Sequence, residues 1–230
     1  RRREGYDPGG CRGGRSAKPG EISLAHNGVL FLDELAEFRP SVLELLRGPL
    51  EDRHLVVSRA SGTVRFPCSV SLIAAANPCP CGYFGDIKMR CSCSDHAIKS
   101  YWKKISGPIL DRIDIIVEVP RLQKEDFFSK EKTEPLFTNA KIQARVLDAR
   151  EKQTRRFKTS RTNHSLSPRE LKTACVLDQD SEQLLGIALD KGILTGRSLH
   201  KVLKVARTIS DMAGLKALNQ ASISEALQYI

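Results

Sequence analysis

The first nineteen residues show no hydrophobic periodicity, and their Arg- and Gly-rich opening RRREGYDPGGCRGG reads as a loop or disordered lead-in, with order beginning near Gly20. From Ile22 the pattern changes. The run Val29, Leu30, Phe31, Leu32, followed at once by two carboxylates, predicts a strand buried on both faces. Pro40 opens a helix with Leu43, Leu46 and Leu50 on one face, and Pro49, Glu51 and Asp52 mark its end. His54 to Phe66 alternates weakly around Ala60, Ser61 and Gly62, as a β-hairpin would. Val70 to Ala76 predicts a second buried strand that stops at Asn77-Pro78. Ser94 then caps a helix bearing Ile98, Tyr101, Trp102 and Ile105, and Ile113 to Val119 predicts a third strand closed by Pro120. Buried strands alternating with helices define an α/β layer with a mostly parallel sheet.

Beyond Pro120 charged residues dominate, with Phe127, Phe128, Leu136 and Phe137 as the few apolar anchors. Between Lys141 and His164 there are eight Lys/Arg against two acids, and Ile142, Val146 and Ala149 form a narrow seam on a basic helix. Residues 121–165 are therefore read as a linker plus that helix. From 166 to 230 the pattern is wholly helical: Ser167-Pro168-Arg169-Glu170 is a capping box, Gly192 and Gly214 stop helices, and Leu199, Val202, Leu203 and Ala206 make an apolar face. The organisation is thus a lead-in at 1–19, an α/β core at 20–120, the linker and basic helix at 121–165, and a small α-helical domain at 166–230.

Composition narrows the class. With 28% charged and 40% hydrophobic residues over 230 positions, the chain is neither disordered nor fibrous, and no apolar run approaches the length of a membrane span. Thirty-seven Lys+Arg against 27 Asp+Glu give +10, which favours polyanionic partners, although a solvated basic surface has the same composition. Seven cysteines, four of them crowded from Cys79 to Cys93, suit a reduced compartment, and the chain is expected in the cytoplasm without a membrane partner. The absence of an initial Met leads to the expectation of further chain upstream.

Val29 to Leu32 followed by Asp33 and Glu34 has the pattern of a Walker B strand, which aims two acids into a nucleotide crevice. The first can hold Mg²⁺ beside the β- and γ-phosphates, and the second can orient and deprotonate the attacking water. Alone, the pattern also fits a strand end followed by helix-capping acids. The stretch GEISLAHNG at 20–28, then LEDRHLVVSRASGTVRFP, LIAAANPCPCG, the Cys91-Ser92-Cys93 element, SGPILDRID and GRSLHKVLKVARTISDMAG, in this order, resembles the magnesium-chelatase-like ComM/YifB family within the helix-two-insert AAA+ ATPases. The resemblance covers residues 20–230.

That resemblance implies the C-terminal part of an AAA+ core followed by a helical lid, with ATP and Mg²⁺ as cofactors. It also implies roles. Asn77 corresponds to sensor 1, which positions the hydrolytic water, although an Asn-Pro turn explains the same residues. Arg112 corresponds to an arginine finger reaching a neighbouring subunit's nucleotide, with an ion pair to Asp111 or Asp114 as the plainer reading. Arg197 corresponds to sensor 2, with Arg207 as a substitute. The hairpin resembles the pre-sensor-1 insertion, so Arg59 and Arg65 could touch DNA phosphates. One element is missing, since no G-x-x-x-x-G-K-[ST] occurs in the 230 residues. The strand feeding a P-loop would lie between Val70–Ala76 and Ile113–Val119, which leaves a gap in the sheet.

Cys79-Pro80-Cys81 and Cys91-Ser92-Cys93 could supply four thiolates to a tetrahedral Zn²⁺, and reduced free cysteines or a redox pair would suit the same spacing. His96 could replace one of them. Cys11, Cys68 and Cys175 are isolated. The function implied by the resemblance is part of a hexameric, ATP-driven DNA motor, a branch-migration helicase in natural transformation and recombination. Two alternatives remain: a chelatase-type motor subunit that remodels a porphyrin metal-insertion enzyme, and a zinc-stabilised non-catalytic DNA-binding fragment.

Overall fold

The structure is a computed structural model that describes residues 18–59, 62–105, 107–122 and 138–230. The lead-in up to residue 17 with Cys11, the hairpin tip at 60–61, and the anchors Phe127, Phe128, Leu136 and Phe137 lie outside the described residues. The chain forms two compact units, Arg1–Ile113 and Asp114–Ile230.

In the first unit, α1 (Glu21–Leu24) leads into β1 (Val29–Leu32), then a 3₁₀ turn (Leu35–Glu37) and α2 (Pro40–Asp52). The hairpin β2 (His54–Arg59) and β3 (Gly62–Pro67) follows, then β4 (Ser71–Ala74), α3 (Asp95–Lys104) and α4 (Gly107–Leu110). β1 pairs in parallel with β4, placing Leu32 opposite Ala74. Leu30 and Leu32 join Ile22, Leu43, Leu46, Tyr101, Ile105 and Ile109 in one apolar core. Pro40 occupies the first turn of α2, and the helix continues through Pro49 to end at left-handed Arg53. A proline one turn from the end removes a single backbone donor, so it does not stop the helix there.

Two expectations about strands are corrected. β1 is buried on one face only: Val29 and Phe31 are each 58% exposed, because strand side chains alternate and the helices pack with the Leu30/Leu32 side. Ile73 on β4 is likewise exposed. Ile113–Val119 forms no strand. A strand requires a neighbouring ladder, and among the described residues β4 pairs only with β1, while Ile115, Ile116, Val117 and Val119 stay exposed. Instead the Ile116 N–H donates to the Tyr229 carbonyl at 2.8 Å.

The second unit is helical: α5 (Asn139–Phe157), a 3₁₀ turn (Asn163–Ser165), α6 (Pro168–Ala174), α7 (Gln179–Asp190), α8 (Gly196–Met212) and α9 (Gln220–Leu227). The Ser167/Glu170 capping box forms as read, and Gly192 and Gly214 take the positive φ that ends a helix, 68° and 76°. Leu171, Leu185, Val202, Ala206 and Ile223 are central to its core. Basic α5 turns Ala149 and Gln153 inward, and Gln153 accepts from the Asn163 N–H at 3.1 Å. Around Asp211 lies a buried polar network. Arg156 donates to its carboxylate, Asn163 Nδ2 donates at 2.9 Å, and Arg207 donates both to it and to the carbonyls of Leu215 and Lys216 at 2.6 and 2.8 Å.

Candidate functional site

The parallel register brings two sequence-distant groups together. Asp33 and Glu34 follow β1 directly, Asn77 stands three residues past the end of β4, and the two strands end side by side. Backbone bonds lock the junction: the Ala75 N–H donates to Leu32 O at 2.9 Å, and the Leu35 N–H donates to Ala75 O at 2.8 Å. Asp33 Oδ1 accepts from the Glu34 N–H at 2.9 Å. Glu34 is in the left-handed region at φ 52°, uncommon for a side chain with a Cβ and a form of local strain that concentrates at functional sites. The carboxylate of Asp33 is exposed, a hard oxygen donor of the type Mg²⁺ prefers.

Helix α3 closes this corner. Tyr101 is buried; its hydroxyl is pushed up by burial and the nearby Glu37, while a hydrogen bond with the Asn77 backbone works the other way. Trp102 Nε1–H donates to the Pro78 carbonyl at 2.9 Å. In the sequence both residues read only as an apolar helix face. The signal available was that Tyr and Trp each carry one polar tip, and that the helix starts immediately after the cysteine loop.

The four cysteines converge. All four Sγ atoms lie within 4.8 Å of one another, with Cys79–Cys81 at 3.4 Å, Cys81–Cys91 at 3.6 Å and Cys79–Cys91 at 3.7 Å. Sulfurs bound tetrahedrally to Zn²⁺ would sit about 3.8 Å apart, given bonds of about 2.3 Å. Backbone N–H groups of Tyr83 and Ser92 hold the Cys81 thiol down to about 5, so one thiolate is already favoured. Cys91 accepts from the Cys93 backbone, yet burial and the neighbouring sulfurs push it up to about 12. A divalent cation would relieve that opposition by neutralising several thiolates at once, so the donor set fits a metal. His96 is in the first turn of α3, outside the cluster. Cys68 and Cys175 are buried free thiols.

The arginines separate. Arg112, for which an ion pair to Asp111 or Asp114 is the plainer expectation, pairs with Glu51 in the last turn of α2. Asp114 instead faces His164 Nδ1 at 3.0 Å within the second unit. Arg197 lies in the first turn of α8, beside the Thr195/Ser198 capping box. Arg207 is excluded as its substitute, being 1% exposed and fully engaged by Asp211 and two carbonyls. On the hairpin, Arg65 Nη2 is 3.1 Å from His54 Nδ1. Arg59 pairs with Gly62 at the tip end, and its side chain lies outside the described ones.

An α/β core with paired acids and an amide at adjacent parallel strand ends, followed by a helical unit, is the architecture of an AAA+-type ATPase. The chain belongs to the magnesium chelatase ChlI family: "Magnesium chelatase, subunit ChlI" matches residues 9–127 and "Magnesium chelatase, subunit ChlI C-terminal" matches 137–230. It is similar to competence protein ComM of Haemophilus influenzae, 41% identical over 218 residues, covering 94% of this chain and 42% of that protein. It is also similar to the uncharacterized protein YifB of Salmonella typhimurium and that of Escherichia coli, each 38% identical. The chain spans 42% of the length of these relatives. Among the described residues no helix is long and apolar enough to cross a membrane.

Proposed function

We propose that this chain carries the strand-end acids and the lid of an ATP-hydrolysing DNA motor. The observation supporting this most directly is the β1–β4 register, in which the two strands that lead into Asp33-Glu34 and toward Asn77 end side by side. In this reading Asp33 holds Mg²⁺, whose charge offsets that developing on the phosphoryl group. Glu34 orients and deprotonates the attacking water, and Asn77 fixes that water's position. A P-loop sequence does not occur in the 230 residues, so the phosphates are cradled by residues outside them. Arg112 reaches the nucleotide of a neighbouring subunit, which requires a ring, a hexamer in our reading, and Arg197 contacts the γ-phosphate from the lid. The division proposed is a lead-in at 1–19, the ATPase core at 20–120, a linker with the basic helix at 121–165, and the lid at 166–230.

Cys79, Cys81, Cys91 and Cys93 hold one structural Zn²⁺ in this proposal, supported by the mutual distances of their sulfurs. DNA is the proposed track, in the cytoplasm, with Arg59 and Arg65 on its backbone and the net charge of +10 favouring the encounter. The ComM likeness favours branch migration during recombination. The chelatase family match supports a second reading, a motor that remodels a metal-insertion enzyme. The test is forked-DNA unwinding and DNA-stimulated ATP hydrolysis by the full-length protein; an ATPase indifferent to DNA would sink the motor assignment and leave the second reading.

A further inference from the structure

We propose that Tyr101 and Trp102, consecutive residues of α3, are positioning residues that hold the Asn77-Pro78 tip in register with Glu34. This rests on the ATPase reading above. Consecutive helical residues project about 100° apart, and these two rings stand 89° to each other with centroids 6.0 Å apart. The two side chains therefore leave the helix on different sides, the one toward the core and the other toward the 77–78 tip. Trp102 Nε1–H donates to the Pro78 carbonyl at 2.9 Å, while Tyr101 is buried in the core beside it, with its hydroxyl toward the Asn77 backbone. Pro78 has no N–H, so its carbonyl is the one backbone hydrogen-bonding handle at that residue.

Helix α3 is itself fixed on both sides of the site. Its N-terminus is capped by Ser94, whose Oγ accepts from the Ala97 N–H at 3.2 Å, directly after Cys93. Tyr101 and Ile105 enter the core together with Leu35 and Ala36, which belong to the turn that follows Glu34. A single helix thus contacts the turn behind the general base and the tip bearing the amide. Displacing either ring shifts one group relative to the other without removing either from the protein. Reactions of this kind are sensitive to such shifts, since placement errors of about 1 Å can cost orders of magnitude in rate.

The experiment uses the full-length protein with Trp102→Phe and Tyr101→Phe; each keeps an aromatic ring and deletes the polar tip, Trp102→Phe at the cost of part of the indole's bulk. Trp102→Phe acts at a partly exposed site and tests the idea even if the buried Tyr101→Phe variant does not fold. The expected result is a kcat for ATP lower by roughly tenfold, with unchanged affinity for a non-hydrolysable ATP analogue and unchanged metal content. Wild-type kcat in Trp102→Phe, or a parallel loss of analogue binding, overturns the proposal. A wild-type protein that fails to hydrolyse ATP overturns the ATPase reading and this inference with it, and that arm is measured before any variant.

Discussion

Arg207 Nη2 lies 3.1 Å from the carboxylate of Asp211, and both side chains are 1% exposed. Burial alone would favour the neutral acid, but Arg156, Asn163 and Arg207 hold Asp211 below the usual carboxylate range. Removing the acid would leave the buried charge of Arg207 facing the neutral carbonyls of Leu215 and Lys216 in place of a carboxylate. Asp211→Ala should destabilise the helical unit by about 3–5 kcal/mol, read from the shift in its urea denaturation curve. A change within a few tenths of wild type would show that the network is not what holds α5 to α8.

Glu170 sets an acid limit on the same unit. Arg161, then the Ser167 backbone and hydroxyl, lower its carboxyl from 4.5 to about 2. Because the folded value is depressed, its stabilising contribution is complete above pH 4.5 and is lost as pH falls through about 2. Urea midpoints of the chain measured between those limits should fall more steeply for wild type than for Glu170→Gln. Equal slopes would assign the acid sensitivity to other carboxylates such as Asp178, which also sits below its ordinary range through its cap to Ser181.

Chain purified without added metal should contain about one zinc, and Cys81→Ser combined with Cys93→Ser should lose it. Trp102 is the single tryptophan of the 230 residues, so its emission reports on the loop directly. Chelation should shift that emission as the Pro78 contact loosens, and zinc should restore it. Disulfides among these four cysteines in freshly reduced protein would refute a metal site.

In the full-length protein Glu34→Gln should bind ATP and fail to hydrolyse it, because the amide keeps the shape without the basicity. Arg112→Ala should act across a subunit boundary. Mixed rings of the two variants should then recover activity at sites where an intact Arg112 meets an intact Glu34, whereas two inactive variants that never complement would place Arg112 in a structural role with Glu51.

Local features were legible in the sequence. Ser94, Ser167 with Glu170, and Pro40 set helix starts by bonds or fixed torsions within one turn, and the structure shows each of them. The hairpin and the convergence of the four cysteines also followed from short spacings. What escaped depends on partners far along the chain. Glu51 meets Arg112 across 61 residues and Trp102 meets Pro78 across 24, distances that no periodicity encodes. The segment at 113–119 has the composition of a strand, but pairing is a property of neighbours. In the sequence Arg207 is the second choice to Arg197, and nothing in a helical pattern says which arginine faces Asp211.

The half-covered sheet also governs how this stretch behaves in a tube. Phe31 lies directly opposite Ile73, and both, with Val29, remain more than half exposed. Between copies in solution the shared net charge of +10 opposes close approach. Added salt shortens the reach of that repulsion to about 8 Å at physiological strength and about 3 Å at 1 M, while leaving the attraction between apolar faces intact. The ordinary remedy for a basic protein that sticks to nucleic acid, washing in high salt, therefore trades one kind of association for another: the cleaner the chain is of polyanions, the more readily it should cluster with itself.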